Sequence, residues 1–244
     1  MSIWPLNCFQ DKTVLITGGT SGIGAGIARG FLAEGANVIV TGATEAEAAR
    51  ARSEMPQTAA HALDVRDTDA VNRLVSGLAD LDHLVNCAGV IRRGDELQPD
   101  VFQDVVDINL NGSMRMCAAA RPLLARNGGT IVNTASMLSF FGGGLVPGYA
   151  ASKGGIAQMT KSLAISYASE GIRVNAIAPG WIATPLTQAL QDEPSRAEPI
   201  MARTPLKRWG QPEDLAGGVA YLSSPMAGFV TGAVLVIDGG YLIT

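Results

Sequence analysis

Paired cysteines, metal-ligand clusters, long apolar runs and blocks of like charge are all missing from this sequence. Its three cysteines, Cys8, Cys87 and Cys117, are odd in number and show no CxxC spacing. That excludes a disulfide framework and points to a reduced, intracellular chain. Cys87 and Cys117 lie in apolar segments and read as small core residues. The two histidines, His61 and His83, stand far apart without ligand-type neighbours, so no metal site is expected. No apolar run approaches the roughly 20 residues that span a bilayer. The stretch 1–7 lacks the basic and apolar regions of a secretory signal. A cytoplasmic protein with no membrane partner is the expectation. A net charge of −4 argues against a nucleic-acid surface. Nothing resembling a linker divides the 244 residues, so one domain over 1–244 is expected. Aromatics are only 5%, and an apolar content of 47% is carried mainly by Ala, Val, Leu and Ile. That composition suits parallel strands buried on both faces by close-packed helices.

What is present is an alternation of short β-branched runs with longer helical patterns. Strands are expected at 13–17, 37–41, 59–64, 82–87, 129–134, 171–178 and 233–237. Helices are expected at 22–34, after the second strand through about 55, at 67–77, at 99–126 with Pro99 in the first turn, at 147–169 and at 212–223. Seven strands separated mostly by helices imply right-handed crossovers. The expected fold is α/β: a single-domain Rossmann-type, doubly wound fold with a seven-stranded parallel sheet flanked by helices. The chief irregular stretch, about 179–211, is rich in Pro, Arg and Thr and reads as a substrate loop.

Two motifs carry chemistry. Gly18, Gly22 and Gly24 fall in the turn between the first strand and the first helix. There, missing side chains let the backbone approach a pyrophosphate, and helix amides face it. Tyr149 and Lys153 stand four residues apart in an expected helix, so the ammonium lies one turn from the phenol. A cation so placed lowers the phenol's pKa, and the tuned phenol can exchange a proton with an alcohol or carbonyl oxygen. Ser136 follows an apolar strand, on the side of an open α/β sheet where ligands bind.

The spacing Thr17-Gly-x-x-x-Gly-x-Gly24, with Asn86-Cys87-Ala88-Gly89, Asn109, Ser136, Tyr149, Lys153 and Pro179-Gly180, resembles the short-chain dehydrogenase/reductase family over nearly the whole chain. Cys87 departs from the asparagine more often found there. The resemblance implies an NAD(P)-dependent enzyme that interconverts a secondary alcohol and a ketone by hydride transfer. It implies that Tyr149 exchanges the proton and that Lys153 holds the nicotinamide ribose and lowers the tyrosine pKa. Ser136 would position the substrate oxygen, and Asn109, rather than nearby Asn111, would hold a relay water through a helix irregularity. The same resemblance assigns Gly18, Ser21, Gly22, Ile23, Gly24, Asp64, Val65, Asn86, Ala88, Gly89, Pro179, Gly180, Ile182 and Thr184 to the cofactor, with Tyr149 and Lys153. The second strand ends Thr41-Gly42-Ala43-Thr44, with neither acid nor arginine. With Glu45 and Glu47 nearby and Ser21 where NADP users often carry a base, the choice of NAD or NADP leans to NAD.

Gly89-Val-Ile-Arg-Arg93, Ala135-Ser-Met-Leu-Ser-Phe140 and Arg208-Trp-Gly210 resemble the gluconate 5-dehydrogenase and 2-deoxy-D-gluconate 3-dehydrogenase branch. That implies a sugar acid or related polyol as substrate. Candidate contacts are Arg92, Met137, Leu145, Trp181 and Arg203, with Arg93 as a further cation for a carboxylate. Leu145 stands where a close relative type carries arginine, which points toward a neutral or more apolar substrate. One alternative is a 3-oxoacyl-carrier-protein reductase docking its acidic carrier on Arg121 and Arg126. Another is a non-catalytic dinucleotide-binding regulator. The expected assembly is a homotetramer.

Overall fold

A computed structural model describes residues 7–244; the start of the chain, read above as lacking a leader, lies outside the described residues. Seven strands form one all-parallel sheet in the order β3-β2-β1-β4-β5-β6-β7. They are β1 Thr13–Thr17, β2 Asn37–Gly42, β3 Ala59–Ala62, β4 His83–Asn86, β5 Thr130–Thr134, β6 Arg173–Pro179 and β7 Val234–Ile237. The expected fold class is correct, and strand ends differ by a few residues. From β1 the chain winds outward through β2 and β3, then returns to lay β4 on the other side of β1. Beyond the carboxyl ends of β1 and β4 the crossovers diverge, and that divergence opens a crevice.

Apolar helix faces cover the sheet on both sides. On one side, α1 (Gly22–Ala33) and α9 (Ala216–Ser223) pack Ile27, Phe31, Val219 and Leu222 against Val14, Ile16 and Val40. On the other, α3 (Thr68–Ser76) and α5 (Gly112–Asn127) bury Val71, Met116 and Leu124 against Leu15, Leu84 and Ile131. Local signals set the ends of these helices. Asp67 accepts from the Ala70 amide at 2.9 Å, and Gly128, at φ +62°, ends α5 in the left-handed conformation. The helix α2 (Glu45–Glu54) is capped by Thr44, which accepts from the Glu47 amide at 3.2 Å.

Two expectations need correction. The helix anticipated over 99–126 is two helices, α4 (Pro99–Val106) and α5, joined by a π-helical segment at Asp107–Asn111. The wider turn shifts the phase of the helix and turns Asn109 fully inward, while Asn111 stays exposed and donates to Asp107. The stretch 179–211 is also more ordered than its composition implied. It holds a short turn of helix, α7 (Gln188–Gln191), and a ten-residue helix, α8 (Pro194–Arg203). Pro194 occupies the first turn of α8, where its missing N–H costs nothing.

His83 sits at the base of β4, stacked 6.3 Å from Phe31 and edge-on to Phe9, with Nδ1 2.8 Å from the Thr130 hydroxyl. Burial pushes its pKa down to about 4. Because the folded-state value is depressed, the stability contributed by neutral His83 is full above about pH 6.5 and is lost as pH falls towards 4. Over that window it adds a slope of about 1.4 kcal/mol per pH unit. Urea unfolding between pH 7 and 4.5 is expected to show this slope in the wild type and a flatter one in His83→Phe; equal slopes would contradict it.

Candidate active site

The first cleft, of about 390 Å³, opens at the crevice and is lined by the turn after β1, the ends of β2 and β3, and the loop after β4. Gly18 has φ +64°, and a Cβ there would meet the Ala88 amide nitrogen at 2.7 Å. The two loops touch across the switch point, and only glycine fits. A Cβ on Gly24 would lie 2.3 Å from the Gly18 carbonyl oxygen, so the second glycine lets α1 begin against the turn. Thr184, from the loop after β6, closes over Gly22, its Cγ2 being 3.3 Å from the position a Cβ would take. This is a cradle of bare backbone at a helix N-terminus, the arrangement that suits a pyrophosphate. The residues fit a dinucleotide: Ser21, Ile23, Asp64, Val65, Ala88 and Gly89 line the cleft alongside them.

Six residues expected at the cofactor are not on this lining: Tyr149 and Gly180 line a neighbouring cleft instead, and Lys153, Asn86, Pro179 and Ile182 line neither. Asn86 is 2% exposed and donates to Asn133 at 2.9 Å and to the Cys117 thiol, so it belongs to a buried polar network. Pro179 ends β6 within the sheet, and Ile182 is 4% exposed, its backbone bridged to Gly210. Conversely, Cys87 was read as core but borders the cleft; its thiol accepts from Thr134, and burial pushes its pKa up to about 11. Cys117 is a core thiol as expected.

A second cleft of about 620 Å³ adjoins the first, and Pro185 and Leu186 line both. Ser136 and Tyr149 line it, with Met137, Leu145, Gly180 and Trp181. Ser136 follows β5 and caps a tight turn, accepting from the Leu138 amide at 3.2 Å. Ser139 of that turn donates to the Lys153 carbonyl at 2.6 Å, which fastens the turn to α6 (Pro147–Tyr167). Lys153 is 4% exposed; its Nζ donates to the Thr134 carbonyl at 2.6 Å and lies 5.5 Å from the Tyr149 ring centre. Asn109 spans the gap to the loop after β4. Its Oδ1 accepts from Val90 at 2.8 Å, and its Nδ2 donates to the Val90 carbonyl at 3.0 Å and to Ser152 at 3.1 Å. Ser152 in turn donates to the Tyr149 carbonyl at 2.7 Å. Asn109, Ser136, Tyr149 and Lys153 are thus brought together.

The electrostatics differ from the simple expectation of a lysine-lowered phenol. Burial raises the Tyr149 pKa, opposed by the side-chain hydrogen bond with Ser136 and assisted by the Glu96 charge. Burial pushes Lys153 down to about 8. Desolvation is the largest influence on each group, and the mutual effect that the four-residue spacing implied is not among the influences on either. A protonated phenol held beside a hydroxyl and an ammonium is the form able to give a proton to a carbonyl oxygen.

Of the three expected substrate cations, Arg93 lines the second cleft, and Arg92 and Arg203 do not. Arg92 pairs with Asp104 at 2.7 Å, and the same carboxylate holds Arg66, itself paired with Asp64. Arg203 folds back on the C-terminal segment, over the Tyr241 ring and against the Thr244 carbonyl. Beside Arg93, the cleft also receives Arg196. The sequence reading missed Arg196 because α8 lay in a stretch taken as irregular. It also missed Glu96, which is 1% exposed and accepts from the Tyr149 amide at 2.7 Å. A glutamate in a polar loop carries no sequence mark of such burial. Among the described residues no cluster of His, Cys, Asp or Glu could hold a metal, and no helix is long and apolar enough to cross a membrane.

Comparison with known proteins agrees with this geometry. A family model described as enoyl-(acyl carrier protein) reductase matches residues 18–242. The 2-dehydro-3-deoxy-D-gluconate 5-dehydrogenase of Pseudoalteromonas atlantica is 38% identical, over 96% of this chain and 96% of that protein. The Bacillus subtilis protein of the same name is 39% identical, over 96% and 95%. Among solved structures, a gluconate 5-dehydrogenase from Burkholderia cenocepacia in complex with NADP and tartrate superposes with a TM-score of 0.90. It is 32% identical, covering 98% of this chain and 99% of that one.

The cradle gives a direct test. Gly24→Ala is expected to weaken NADH binding, followed by nicotinamide fluorescence, by about tenfold or more, since the added methyl must displace backbone. The circular dichroism spectrum should stay native. Unchanged binding would show that the turn does not approach the dinucleotide.

Proposed function

The chain belongs to the short-chain dehydrogenase/reductase family, an NAD(P)-dependent oxidoreductase interconverting a secondary alcohol and a ketone, and we propose that its substrate is a sugar acid or related polyol. The observation that carries this is the convergence of Ser136 and Tyr149 on one cleft beside a cradle fitted to a dinucleotide. When bound, the nicotinamide supplies or accepts the hydride. Ser136 orients the substrate oxygen, and Tyr149 gives it the proton in reduction or takes it in oxidation. Lys153 keeps an ammonium against the phenol and holds the ribose, and its tie to Thr134 fixes where that charge sits. Asn109 fastens the loop after β4 to α6. Gly18, Ser21, Gly22, Ile23, Gly24, Asp64, Val65, Ala88, Gly89 and Thr184 hold the cofactor. Met137, Leu145, Trp181 and the chain over 179–211 enclose the substrate, with Arg93 and Arg196 reaching its carboxylate.

NAD is the favoured cofactor. Glu47 lines the end of the first cleft beside Thr41 and Gly42 and accepts from the Ala43 amide at 2.7 Å, so a carboxylate stands where a 2′-phosphate would have to fit. The nearby Arg66 is spent on Asp64 and Asp104. The carrier-protein alternative loses support because Arg121 is paired with Glu170 and stacked on Tyr167. A regulator has no use for a buried phenol and ammonium. A cytoplasmic homotetramer is the proposed state; exposed Met114 on α5 and Ile165 on α6 supply apolar surface for helix pairing.

The deciding experiment is a cofactor-by-substrate panel of sugar acids, polyols and acetoacetyl thioesters, followed by nicotinamide absorbance. Turnover is expected on the sugar acids and polyols, and thioesters alone would overturn the reading. Tyr149→Phe should lower kcat by about 10²-fold or more with NADH binding unchanged; near-normal turnover would refute the proton-transfer role. The wild type should prefer NAD, and Glu47→Arg should narrow that preference by about tenfold. A wild type that prefers NADP would contradict the cofactor assignment.

A further inference from the structure

Glu96 lies in a single helical turn, Asp95–Leu97, between the loop after β4 and α4. It is 1% exposed, yet among the described residues it has no lysine or arginine partner. Its two oxygens are divided between two backbone donors: Oε1 accepts from Arg92 at 2.8 Å and Oε2 from Tyr149 at 2.7 Å. Tyr149 is the third residue of α6, one of the amides that a helix leaves without an internal partner. The carboxylate therefore stands at the positive end of a 21-residue helix, which offsets part of the cost of burying it. The approach is close: a Cβ on Gly148 would already lie 3.3 Å from Oε2. Gly94 adds a second tie, donating to the Leu145 carbonyl at 2.7 Å. The other end of the clamp, at Arg92, adjoins Ile91 and Arg93, which line the second cleft.

We propose that Glu96 is a positioning residue for the reaction, a buried carboxylate that locks the backbone of Tyr149 to the loop forming the substrate side of the cleft. The proposal rests on the reading of Tyr149 as the proton-transferring group. Only a carboxylate can do this. A glutamine would accept from one of the two amides and turn its NH₂ toward the other, leaving a buried donor unpaired. Aspartate keeps both acceptors on a shorter stem. The charge also has a consequence for the phenol. Tyr149 is faced by Ser136 from the turn after β5, by Lys153 from its own helix, by Arg93 from the cleft wall and by Glu96. Of these Glu96 alone is negative, and it opposes phenolate formation.

The experiment compares Glu96→Gln, Glu96→Asp and Tyr149→Phe with the wild type, in kcat, NADH affinity, thermal midpoint and the pH dependence of kcat. For Glu96→Gln the expectation is a fall in kcat of about tenfold, NADH affinity within about twofold, and a basic limb of the kcat profile displaced to lower pH. Glu96→Asp should recover most of kcat and keep the wild-type limb. A Glu96→Gln enzyme with near-normal kcat and an unmoved limb would overturn the proposal. So would a loss of kcat that tracks a lowered thermal midpoint while the limb stays in place, because that describes a strut with no link to the phenol. If Tyr149→Phe retains turnover, the underlying reading fails by itself, whatever Glu96 does.

Discussion

The hydrogen bond from Lys153 to the carbonyl of Thr134, 2.6 Å long and shielded from water, ties α6 to the end of β5. Thr134 closes β5, and Ser136 follows two residues later. An ammonium anchored there carries α6 against the turn that holds Ser136, and the Ser139–Lys153 contact closes the same joint from the other side. Tyr149 then lies one helical turn away, in the lining of the second cleft. Burying a lysine is costly and lowers its pKa to about 8, and the sheet carbonyl offsets that cost by accepting the charged donor.

Around that joint the fold supplies two surfaces from different parts of the chain. The doubly wound sheet opens its crevice between β1 and β4, where Gly18 and Ala88 are in backbone contact and a dinucleotide fits. The loop after β6, with α7 and α8, brings Trp181, Leu186 and Arg196 into the wall of the cleft that Tyr149 lines. Asn109 and Glu96 stitch the loop after β4 to α6 between these surfaces, one through side-chain amides and the other through a carboxylate. A shift of α6 would therefore break contacts on three elements together.

The sheet and the cofactor cradle were legible because their determinants are local. β-branched runs bounded by glycine and helical repeats fix strands and crossovers, and Gly18, Gly22 and Gly24 mark a turn whose geometry excludes side chains. The constellation of Ser136, Tyr149 and Lys153 was legible from spacing combined with family resemblance. What escaped was set by tertiary packing. The π-helical turn that swings Asn109 inward follows no apolar period, and only the family resemblance led to the expectation of an irregularity there. The pairing of Arg92 with Asp104 and the burial of Glu96 against the Tyr149 amide join residues from separate elements and leave no mark in the sequence. The spacing of Tyr149 and Lys153 predicted a lowered phenol pKa, but burial of both groups reverses the sign, a balance that no spacing reports.

The central claim is that a buried, protonated Tyr149 delivers its proton as the hydride is transferred. Its most direct test is the solvent isotope effect on kcat for ketone reduction, measured with and without deuterium at the hydride-donating carbon of the reduced nicotinamide. The account predicts a normal solvent effect in the wild type that persists when the carbon-bound hydrogen is also deuterated, and that is absent from the residual turnover of Tyr149→Phe. Equal wild-type rates in H₂O and D₂O, in the presence of a clear effect from the carbon-bound deuterium, would contradict it.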